Sequence, residues 1–111
     1  MRVTAELWIS ALVRRVFSAG GFAAVARKGA AEAGAIFVIS RDRTGQVALY
    51  GPAPQTSYDD GRPNERLFAK LMEGEPELSD KRLASEARFD PDIWVVEIET
   101  DRLSELVPIV E

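Results

Sequence analysis

A chain of 111 residues, 46% of them apolar and 29% charged, is sized for one domain spanning residues 1–111, with the composition of a soluble globular protein. It contains neither cysteine nor histidine, which excludes disulfides, thiolate nucleophiles, Cys/His zinc sites and a Ser-His-Asp triad. A net charge of −4 argues against general nucleic-acid binding, which needs a surplus of Lys and Arg on one face.

The charge is unevenly divided. Residues 1–58 hold seven Lys/Arg against three acids, and residues 59–111 hold seven against fifteen, an asymmetry that either orients a partner or cancels when the halves interleave. Eleven of the fourteen cations are Arg, which suits bidentate pairing with carboxylates. Residues Met1–Glu6 lack the charged start and long apolar run of a secretory signal, so a cytoplasmic location is expected. The longest apolar run, Ala35 to Ile39, is far short of the ~18 residues of a membrane span.

Thr4 is placed to cap a helix over Ala5–Ser18, in which Ile9, Leu12, Val13, Val16 and Phe17 recur at helical spacing and Gly20-Gly21 supplies the stop. Trp8 flanks that stripe and either seals the core or faces a partner. Three short apolar runs follow, Phe22 to Arg27, Ala35 to Arg41 and Gln46 to Gly51, and read as a strand meander with a hairpin turn at Asp42–Gly45. The run from Ile36 to Ile39 is apolar at every position, as in a strand covered on both faces. A helical turn is an alternative for the Ala-rich connection Gly29–Gly34.

Gly51-Pro52-Ala53-Pro54 stops the third strand and opens an irregular stretch through Pro63. The alternation from Arg66 to Met72 predicts a fourth strand with a helix close behind. Ser79 is a candidate cap for a helix starting at Asp80, with Leu83, Ala87 and Phe89 inward and Asp90-Pro91 ending it. Ile93 to Glu99 is the clearest strand, with Trp94, Val96 and Ile98 on one face. Asp101 to Val110 reads as a short helix or a tail, broken near Pro108. The order predicts an α+β domain: a mostly antiparallel sheet of four or five strands, covered on one side by two helices.

Four stretches together have the character of a known family: Ser10–Phe17 with Gly20-Gly21; Ala33-Gly34-Ala35-Ile36; Tyr50-Gly51-Pro52-Ala53-Pro54 with Asp60-Gly61-Arg62-Pro63; and Ala87–Glu97 around Asp90-Pro91-Asp92. They span nearly the whole chain and resemble an uncharacterised bacterial family, domain of unknown function 1491. The resemblance implies no reaction, substrate or partner, so it assigns no residue a role.

Two clusters concentrate chemistry. In the segment Gln55–Arg66, Tyr58, Asp59, Asp60, Arg62 and Glu65 form a candidate ligand site in which the acids hold a hard cation and Arg62 clamps an anion; equally, the acids and Gly61 are turn formers. In the second, Arg88, Asp90 and Asp92 surround Pro91, either as an acid pair for general acid–base work or as a helix stop. Arg14 and Arg15, with Trp8, are candidate interface residues; the alternative for the two arginines is a solvated helix face. No metal site matches an established spacing and no cofactor is expected. The expected function is a small binding or accessory module, plausibly a homodimer or bound to a protein partner, with a divalent-cation-dependent hydrolase acting on a phosphorylated small molecule as the alternative.

Overall fold

A computed structural model describes residues 3–54 and 66–110. Helix α1 (Ala5–Ser18) forms where expected: the Thr4 hydroxyl accepts the Leu7 amide, and Ala5, Ile9, Leu12 and Val16 are its buried residues. Phe17, expected on the buried stripe, is instead exposed at the helix end, where its ring meets that of Phe22, itself exposed. Strands β1 (Phe22–Arg27), β2 (Ile36–Arg41), β3 (Val47–Pro52) and β4 (Phe68–Gly74) follow, then α2 (Pro76–Phe89), β5 (Trp94–Glu99) and the single turn α3 (Leu103–Leu106).

The sheet order is β1-β5-β2-β3-β4. Of the expected β1-β2-β3 meander only the β2–β3 hairpin forms, and β4 extends it; β1 pairs with β5, and β5 lies parallel to β2 between the two. This corrects the reading of three consecutive neighbours. The connection Gly29–Gly34 holds a single helical-type turn, the Gly34 amide donating to the Ala30 carbonyl, and carries the chain across β5, since the Ala30 amide donates to the Asp92 carbonyl and the Trp94 amide to Ala35.

The fold is α+β and mostly antiparallel, but its helices are divided between the faces. On one face α1 and α3 cover Ile36, Val38, Trp94, Val96 and Ile98; on the other, Leu83 and Ala87 of α2 meet Phe37, Ile39, Leu49, Ile93 and Val95. Strands β2 and β5 carry apolar side chains on both sides, so one-sided cover would leave a large apolar face in water. Helix α2 starts earlier than expected, with Pro76 in its first turn, where a missing amide costs nothing. Ser79 is therefore not the cap: it is buried within the helix, its hydroxyl donating to the Pro76 carbonyl. Phe89, expected inward, is 88% exposed.

The β2–β3 turn gives a testable pH dependence. The Asp42 carboxylate accepts from the Thr44 hydroxyl (2.7 Å), the Thr44 amide (2.8 Å) and the Gln46 amide (3.1 Å). These donors, the hydroxyl foremost, hold its pKa below the ordinary aspartate value. A lowered folded-state pKa stabilises the fold above the unfolded-state value and ceases to do so as pH falls through the folded-state one. Asp42→Ala is thus expected to lower the thermal midpoint at neutral pH, and the gap to wild type should close below about pH 4. A gap unchanged in acid would contradict this role.

Candidate functional site

A cavity of about 380 Å³ opens at the end of the sheet where β2 begins, β3 ends and β4 begins. Ile36, Pro52, Ala53, Leu67 and Phe68 line it from the sheet, Glu32, Ala33 and Gly34 from the crossover turn, and Val3 and Thr4 from the entry to α1; Asp90 and Arg66 complete it. The ladder continues into it, because the Ala53 amide donates to the Leu67 carbonyl. Phe68, one of its lining side chains, is fully buried, and its backbone is held from outside by the C-terminal segment through Phe68 N–H to Pro108 O and Val110 N–H to Phe68 O.

The crossover wall is held by backbone bonds. The carbonyls of Ala31 and Glu32 accept the Glu6 and Ala5 amides at the start of α1, satisfying two of the donors that a helix N-terminus leaves without an intrahelical partner. From below, the Trp94 indole Nε1–H donates to the Ala30 carbonyl at 2.7 Å. Gly34 lies so close to the Asp92 carbonyl and the Trp94 ring that a Cβ there would collide with both. On the opposite side the Arg66 guanidinium donates to the Val3 carbonyl at 2.9 Å, joining the start of β4 to the N-terminal segment.

Among the described residues the charged groups lining the cavity are Glu32, Asp90 and Arg66. Asp90 also lines a second cavity of about 300 Å³ on the α2 face, beside the Arg82–Glu86 pair (3.0 Å), and the two cavities share Ala35 and Pro52. Together they follow the end of β2 and β3 from one face of the sheet to the other. A larger cleft, about 660 Å³, lies at the far end of the sheet between Gly20-Gly21, residues 40–44 and residues 99–102. Its lining is more polar, and two of its charged groups are engaged elsewhere: Asp42 in its turn and Arg41 with Glu97 at 3.2 Å.

Of the residues singled out in the sequence, Tyr58, Asp59, Asp60, Arg62 and Glu65 lie outside the described residues. The flanking Ala53 and Arg66 both line the 380 Å³ cavity. Arg88, Asp90 and Asp92 are exposed at the α2–β5 junction. There the Asp90 carboxylate accepts the Asp92 amide at 3.0 Å, and Arg27 donates to the Pro91 carbonyl, so this cluster builds a turn and only Asp90 reaches the cavity. Trp8 is half-buried and stacks on Phe68, with ring centroids 5.4 Å apart. Arg14 is exposed, and Arg15 donates to the Leu106 carbonyl. Among the described residues no group of three or more acids could hold a metal ion, and no helix is long and apolar enough to cross a membrane. Sequence reading did not single out Val3, Thr4, Glu32 or Phe68 for this site, because the segments meet only through the crossover.

The model of a family described as "protein of unknown function (DUF1491)" matches residues 3–108. Among solved structures the chain is similar to protein Atu0922 from A. tumefaciens, at 52% identity and a TM-score of 0.86, over 100% of this chain and 97% of that one. It is also similar to a DUF1491 family protein from Caulobacter crescentus CB15, whose crystal structure aligns over the whole of both chains at 36% identity and a TM-score of 0.79. The NMR structure of a DUF1491 family protein from the same organism matches at 35% identity with the same TM-score, covering 100% of this chain and 99% of that one. No curated protein matches the chain.

Proposed function

The chain belongs to the DUF1491 family of proteins of unknown function, and we propose that it is a binding module holding a small organic molecule in the cavity at the β2–β3–β4 end, without acting on it chemically. The observation that carries this reading is the cavity itself. Its volume of about 380 Å³ falls in the range of small-molecule sites, and its exposed lining is divided evenly between apolar and polar surface. Among the described residues two carboxylates, Glu32 and Asp90, line it with one guanidinium, that of Arg66, which donates to the Val3 carbonyl. The ligand that fits is one with an apolar body and a cationic end. A binding role is also in keeping with a sequence that has no cysteine or histidine, the side chains most used as nucleophile and general base.

Titration of the ¹⁵N-labelled protein with hexylamine and, separately, with hexanoate tests the reading. The amine is expected to move the amide resonances of Ala33, Ala35, Ile36, Ala53 and Phe68 along one binding curve, with hexanoate much weaker. Asp90→Asn, which keeps an oxygen for the Asp92 amide, is expected to weaken the amine about two- to fivefold, as befits an exposed charge pair. Cavity amides that stay in place with both probes would contradict the proposal.

A further inference from the structure

The two cavities at the β2–β3 end meet at one charged group. Ala35, Pro52 and Asp90 line both of them, so the boundary between the two is made of two short apolar side chains and a carboxylate. It is open to solvent, because Pro52 and Asp90 are exposed. On one side the first cavity lies against Ile36 and Phe68, which belong to the core cluster under α1. On the other side the second cavity, about 300 Å³, lies against Phe37, Leu71 and Ile93 of the cluster under α2. The remaining charges of the second cavity offset each other, since Arg82 Nε donates to Glu86 Oε2 at 3.0 Å. Asp90 is different: one of its oxygens accepts the Asp92 amide at 3.0 Å, and among the described residues the other has no partner. The charge that a cation would seek therefore stands between two apolar hollows rather than at the end of one.

Resting on the reading of the first cavity as an amine site, we infer that the ligand is a secondary amine whose nitrogen stands at Asp90 and carries two apolar arms, one in each cavity. A primary amine held at Asp90 has one chain and fills one hollow, leaving the apolar lining of the other in water. A nitrogen inside the chain keeps its positive charge and an N–H for the free Asp90 oxygen. Its second arm then covers Phe37, Leu71 and Ile93, and each methylene withdrawn from water adds affinity. Ala35 and Pro52 suit the crossing, because neither side chain is long enough to close the passage beside the carboxylate.

Octylamine and dibutylamine are isomers that differ in where the nitrogen sits, so titrating the ¹⁵N-labelled protein with each separates that feature from apolar area alone. Dibutylamine is expected to bind about tenfold more tightly and to move the amides of Ala33, Ala53 and Phe68 and those of Leu71, Glu86 and Ile93 along one curve. Octylamine should move the first set and leave the second in place. Leu71→Asn, which makes the second cavity polar, should bring dibutylamine down to the affinity of octylamine and leave octylamine unchanged, a result that also shows the variant to be folded. The isomer comparison uses the wild-type chain and decides the matter even where the substitution unfolds it. Octylamine binding as tightly as dibutylamine, or a folded Leu71→Asn variant that alters both amines alike or neither, would overturn the inference while leaving the first cavity an amine site. Amides of the first set that ignore both amines would remove that site, and the inference with it.

Discussion

Trp94→Ala is expected to cost the fold roughly 3–5 kcal/mol, the range for removing a large aromatic from a packed core. Trp94 is 3% exposed and belongs to the same core cluster as Ile9, Leu12 and Val38. Its loss opens a cavity and also removes the indole N–H from the Ala30 carbonyl, which keeps only the longer bond from the Gly34 amide. Two variants separate these effects. Trp94→Phe keeps most of the packing and loses the hydrogen bond, so it should cost about 1–2 kcal/mol, with the remainder appearing only in Trp94→Ala. Urea unfolding with an unchanged m-value is the check. A Trp94→Ala variant within about 1 kcal/mol of wild type would mean that the ring is not part of the core.

Gly34→Ala is the second large effect, and it comes from a single methyl group. The position does not need a left-handed backbone; it needs room, because an added Cβ runs into the Asp92 carbonyl and the Trp94 indole. One obstacle is backbone and the other a ring fixed at both ends, so neither swings aside as a flexible side chain would. The crossover wall must lift from β5, straining the Ala30–Asp92 and Trp94–Ala35 hydrogen bonds. Overpacking of this kind costs about 1–3 kcal/mol, and backbone obstruction puts this site at the upper end. Because Gly34 also lines the cavity, the variant should show altered amide resonances from Glu32 to Ile36 even where it is still folded. Gly45, with an open position and φ of +91°, is the control: Ala there meets only the smaller strain of a left-handed residue, about 1 kcal/mol.

The elements that could be read in the sequence are those whose signal is local. Thr4 and the spacing of Ile9, Leu12 and Val16 define α1 at both ends, because cap and stripe both act within a few residues. Alternation in Trp94, Val96 and Ile98 marks β5, and the unbroken run Ile36–Ile39 already requires cover on two faces. Insertion of β5 between β1 and β2 was not legible. It depends on pairings such as Ala23 with Ile98 and Val38 with Val96, and no short-range pattern distinguishes them from a meander. The start of α2 was missed because the helix carries a weak apolar stripe, and Ser79 resembles a cap until Pro76 is seen to occupy the first turn. For the candidate site, Asp90 was legible as a carboxylate at a helix stop. Glu32 and Phe68 were not, since each is ordinary in its own segment and joins the cavity only through the crossover.

Thermal unfolding of the wild-type protein with hexylamine, compared with Mg²⁺, Mn²⁺, Ca²⁺ and chelator, tests the binding role most directly. A ligand that binds only the folded chain adds about 2.7 kcal/mol at 100 times its dissociation constant, several degrees for a domain of this size. The expected result is an upward shift with the amine, reduced by Asp90→Asn, and the same midpoint with every divalent cation as with chelator. The opposite pattern, no response to the amine and a cation-dependent rise abolished by Asp60→Asn, would contradict the binding role and point instead to metal-assisted hydrolysis centred on the acidic segment.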